Sequence, residues 1–210
     1  MSHFHQVSNA EAVDSNWIGL YKIGGTAALI LTILLLIPIF FIIAGSQTGI
    51  VLQNNFLVLI FKLHAGFSGI EEGALGGLNF PDITIIVLVG VMTLALYPAL
   101  KQVNMAWAIA ATSLPFIGLA LFLITHEIGR SGILASGLII SLIMLRGNIF
   151  GRSTALVGIL AHSCFLIADI SIAFGYSITL AAIMGIGYVL FLIWFILIGL
   201  GFLKLGKSGK

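Results

Sequence analysis

The chain has 210 residues, of which 60% are hydrophobic and 8% charged, with a formal net charge of +2. Soluble domains carry about 25% charged residues, so this chain is too poor in charge to cover a globule in water. The small net charge, with no basic run interleaved with aromatics, excludes nucleic acid as a partner. The single Cys164 excludes an intramolecular disulfide and a cysteine metal cage.

Residues 1–22 form a polar N-terminal segment containing Glu11 and Asp14, and no cleavable signal peptide is evident. The apolar runs that follow are long and continuous rather than alternating. In lipid every backbone amide must be satisfied within its own segment, so these runs predict helices and not barrel strands. A helix needs roughly 20 apolar residues to cross the hydrocarbon layer. Six spans fit, at 23–44, 82–100, 105–125, 128–145, 154–174 and 178–203, with a basic tail at 206–210. The expected fold is an all-α polytopic transmembrane bundle of six spans within one membrane domain, residues 23–205. Pro115 in the third span is the expected kink.

The stretch 49–69 is amphipathic. Leu52, Phe56, Leu59, Leu63 and Phe67 follow helical spacing, but a spanning helix would bury Asn55, Lys62 and His64. An amphipathic helix on the outer face is expected there. With the N-terminus inside, seven Lys and Arg residues face the cytoplasm and only Lys62 and Arg130 face outward. The positive-inside rule therefore places both termini in the cytoplasm of a prokaryotic plasma membrane.

Chemistry in such a chain must come from the polar residues in or beside the spans. In the fifth span Gly151, Ala155, Gly158, His162, Asp169 and Ala173 lie close to one helical stripe. Small residues let helices approach closely in lipid, so this stripe is expected to face inward. His162 lies seven residues from Asp169, about 10 Å along the axis. One reading is a proton or ion path from outside water to Asp169 and on to His162. The other is local pairing, Asp169 with Arg130 or a hydroxyl and His162 with a carbonyl.

His126, Glu127 and Arg130 form a second cluster in the connection after the third span, and Asp82 opens the second span on the same outer side. The candidate polar cluster is thus Asp82, His126, Glu127, Arg130, His162 and Asp169. No metal or other cofactor is expected. His126 and Glu127 are adjacent, so on a helix they point about 100° apart, and no metal-ligand motif appears.

Several segments resemble a family of uncharacterised multi-spanning membrane proteins of bacteria and archaea, defined only as a domain of unknown function. They are the run from Trp17 to Gly25, the Pro81-Asp82-Ile83 step, Ala95-Leu96-Tyr97 followed by Leu100 to Asn104, and Ser141 to Arg146 with Ile149-Phe150. The run from Val157 to Ala161 completes the resemblance, which covers about 17–205. It implies a helical membrane bundle and no particular activity.

Two functional classes follow. The first is a structural or accessory membrane subunit, whose partners are the bilayer and other membrane chains or a second copy, met through small-residue faces at Ala155 and Gly158. The second is a small transporter, channel or membrane enzyme working through Asp82, Glu127, Asp169 and His162. The lack of a catalytic motif favours the first.

Overall fold

The computed structural model describes residues 15–46, 80–122, 126–147, 149–172 and 178–207. The expected surface helix at 49–69 lies outside these residues. A short 3-10 turn, Ser15–Trp17, leads into α1 (Ile18–Ser46). Then come α2 (Phe80–Leu100), α3 (Met105–Phe122), α4 (His126–Arg146), α5 (Arg152–Ile172) and α6 (Ile178–Leu205). The described residues hold these helices and no strand. Three stretches, Ile18–Ile37, Arg152–Ser171 and Ala182–Leu205, are long and apolar enough to cross a membrane. Thr84–Leu100, Met105–Leu121 and Ser131–Arg146 are shorter apolar helices.

Each helix packs antiparallel against its neighbours in sequence, and α6 packs back against α1, so the bundle is a closed ring. Glycines set the closest approaches. A β-carbon at Gly25 would stand 2.9 Å from the Gly199 carbonyl oxygen, and one at Gly24 would stand 2.2 Å from the Ala95 Cβ. The first contact closes α1 on α6 and the second seats α1 on α2. Close backbone approach at small residues is how helices gain contact in lipid, where hydrophobic burial supplies no drive.

The ring is filled by Leu31, Met92, Leu96, Met144, Phe195 and Ile198 among others, all buried. One end is closed by aromatics. Tyr21 stacks on Phe202 at 5.9 Å, and Phe150 meets Phe202 edge-on at 5.5 Å. The outside of the ring is apolar too, with Ile23, Leu94, Trp107, Leu160, Ile170 and Ile186 exposed. Helices apolar on all sides are buried in a large core or in a bilayer.

Hydroxyls within the helices bond their own backbone. Thr32 Oγ1 donates to the Ala28 carbonyl at 2.9 Å, Thr112 Oγ1 to Ala108 at 2.7 Å, and Ser141 Oγ to Gly137 at 2.8 Å. A polar side chain is thereby satisfied without a partner helix. Asn104 caps α3, accepting from the Trp107 amide at 3.0 Å on its Oδ1. Tyr188 Oη donates to the Leu35 carbonyl and ties α6 to α1.

Candidate functional site

The centre of the bundle is built where α4, α5 and α6 meet. Gly158 and His162 are one turn apart on α5, and Gly137 and Ser141 are one turn apart on α4. His162 is 3% exposed. Its Nδ1 donates to the Gly158 carbonyl oxygen at 2.7 Å. A carbonyl can only accept, so this bond places the proton on Nδ1 and leaves Nε2 as the acceptor of the neutral ring. The ring meets Phe191 and Trp194 edge-on, with centroids 5.3 Å and 4.7 Å away. Its Nε2 sits where a side chain on Gly137 would begin: a β-carbon there would lie 2.0 Å from Nε2.

Gly158 makes room in the same way, a turn earlier on α5. A β-carbon on it would lie 2.2 Å from both Ser141 Oγ and Trp194 Nε1. Trp194 is 2% exposed, and its Nε1 has no hydrogen-bond partner among the described residues. Ser141, His162 and Trp194 thus converge on two glycines and are sealed by Phe191, which also stacks edge-on against Phe195 at 4.5 Å.

Asp169 lies two turns further along α5 and is half-buried. Ser131 Oγ, near the start of α4, donates to its Oδ2 at 3.3 Å. Between His162 and Asp169 the same side of α5 presents Phe165, which is buried and meets Phe191 edge-on at 5.5 Å. The described groups therefore form two separate polar contacts, one central and one near the far end. An apolar level stands between them.

Several expectations are met and others corrected. Ala155, Gly158 and His162 face inward as expected. Gly151 does not: it precedes α5 and is exposed. The fourth span is expected from 128, whereas α4 begins at His126, so His126 and Glu127 belong to its first turn and not to the connection. Glu127 suits that position, since an acid in the first turn complements the helix dipole. The side chains of Asp82, His126, Glu127 and Arg130 are outside the described set.

Ser131, Ser141, Trp194 and Gly137 complete the polar contacts without having been singled out from sequence. The pairing of Gly137-Ser141 with Gly158-His162, both at a spacing of four, was the signal available for two of them. Trp194 sits in an unbroken apolar run and gave none. Among the described residues no three His, Cys, Asp or Glu side chains converge as a metal site would require.

No protein-family model, curated protein or solved structure matches the chain. What the fold and the central contacts define is therefore a class: an all-helical chain, apolar inside and out, with three helices long enough to cross a membrane.

Proposed function

We propose that the chain is an integral membrane protein of a prokaryotic plasma membrane in which all six helices cross, and that it serves as a structural or accessory subunit. The lengths of α2, α3 and α4, at 21, 18 and 21 residues, fall within the roughly 17–25 that a span requires. The Lys and Arg bias supports a topology with both termini in the cytoplasm. The resemblance to the multi-spanning family of unknown function fits a bundle and adds no chemistry.

The observation that carries the accessory role is the sealing of His162. It bonds a carbonyl of its own helix and stands between two aromatic rings against a glycine. Such a residue is built for packing rather than for exchange with water. Ala155 and Gly158 are both buried within the chain, so a partner would meet other faces of the ring.

The reading is tested by purifying the chain from its membrane in mild detergent and identifying what accompanies it. A stoichiometric second membrane chain, or a stable homo-oligomer, supports it. A monomer that conducts protons or solute in vesicles sinks it. A second reading, transport through Asp169, is favoured by the partial exposure of that carboxylate within an apolar helix. Labelling of a cysteine at Ser208 from the outside would overturn the orientation.

A further inference from the structure

Six basic residues gather at one end of the ring, while Arg130, whose side chain is outside the described set, opens α4 at the other. Lys22 starts α1, Lys101 follows α2, Arg146 ends α4, Arg152 opens α5, and Lys204 and Lys207 stand at the end of α6. The one described carboxylate, Asp169, lies at the other end.

The rim has a second property. Each of four basic residues has within about two turns of it a large apolar side chain that faces out of the ring. Ile23 adjoins Lys22, Met105 and Trp107 follow Lys101, Leu145 adjoins Arg146, and Leu156 lies one turn beyond Arg152; all are exposed. Positive charge above an apolar wall is the complement of a molecule with an anionic head and an acyl tail.

Lys101 stands over two aromatic rings. Its Nζ lies 4.8 Å from the centre of the Trp17 ring and 6.0 Å from that of Tyr97. Two aromatic faces fix the ammonium by cation–π attraction without using up its three N–H donors. A phosphate oxygen is the acceptor such a group fits.

We propose that this rim binds the phosphates of anionic phospholipids in the adjoining leaflet, with Lys101 on its aromatic platform and the Arg146–Arg152 pair as the principal contacts. The proposal rests on the membrane reading above. Free phosphate offers the same head chemistry, but the exposed apolar wall beneath the rim selects the lipid form.

The test uses the full chain in a neutral detergent, stripped of lipid and titrated with phosphatidylglycerol, phosphatidylcholine or inorganic phosphate. Thermal unfolding and the lipids retained in native mass spectrometry are followed. Phosphatidylglycerol should be retained and should raise the unfolding midpoint, less so at high salt; phosphatidylcholine and phosphate should do neither.

Arg146 and Arg152 are exposed, so Arg146→Gln with Arg152→Gln should fold as the wild type does. Affinity should fall roughly fivefold for each basic residue removed. Lys101→Gln should weaken retention and Lys101→Arg restore it. Equal retention of both lipids, or unchanged retention in the arginine variant, overturns the proposal. A shift produced by phosphate alone overturns the lipid assignment. A chain that stays soluble without detergent would defeat the membrane reading, and the proposal with it, before any lipid is added.

Discussion

The imidazole of His162 occupies the space that a side chain on Gly137 would need. A β-carbon at Gly137 would stand 2.0 Å from Nε2 and 2.3 Å from Cδ2. The ring cannot retreat easily, because Trp194 and Phe191 stand beside it. Gly137→Ala should therefore cost about 1–3 kcal/mol as overpacking, and the Nδ1 bond to Gly158 should be strained or lost with it. Unfolding in detergent measures this. Pairing the change with His162→Ala should recover much of the loss, since contacting residues are non-additive. Purely additive losses would show that the two do not meet.

Trp194 presents a different case. Its indole N–H is buried without a partner among the described residues, and an unsatisfied donor costs about 1–3 kcal/mol. Trp194→Phe removes that donor while keeping most of the ring. The unfolding free energy should stay within about 1 kcal/mol of the wild type, because the relieved donor offsets the lost contact. Trp194→Ala should cost about 3–5 kcal/mol. A phenylalanine variant as weak as the alanine variant would mean that the N–H is satisfied in the membrane.

Tyr188 reaches across from α6 to the Leu35 carbonyl on α1. Tyr188→Phe keeps the ring and deletes only the hydroxyl. Interhelical hydrogen bonds in bilayers average about 0.6 kcal/mol and reach about 1.7, so a loss in that range is expected. No change in unfolding would show that the contact does not hold the two helices.

Asp169 is the residue on which the accessory and transport readings divide. Asp169→Asn keeps an oxygen that can accept from Ser131 Oγ but removes the charge. The accessory reading expects unchanged folding, unchanged partner recovery and no altered proton flux in vesicles. A fall in flux with folding intact would favour transport.

How much of this was legible beforehand varies along the chain. The helices were, because an apolar run of such length leaves the backbone no other way to satisfy itself. The inward stripe of α5 was legible from Ala155, Gly158 and His162, since small residues and a buried imidazole repeat with the helical period. His126 and Glu127 were not: their polarity suggests a connection, yet polar residues also make good first turns. Trp194 was hidden for the opposite reason. In an apolar run an indole reads as one more hydrophobe, and only the fold shows its N–H meeting Gly158. Nor could any pattern reveal that α6 returns to α1, because Gly25 and Gly199 are ordinary glycines until they are set against each other.

That return has a temporal side. A ribosome delivers α1 first and α6 last, so the contact of Gly25 with Gly199 forms only when nearly all of the chain has been made. The same delay leaves His162 without its Trp194 and Phe191 cover. Until α6 arrives a polar residue stays on view, a mark that a quality-control protease can recognise. A chain cut short before α6 would never lose that mark.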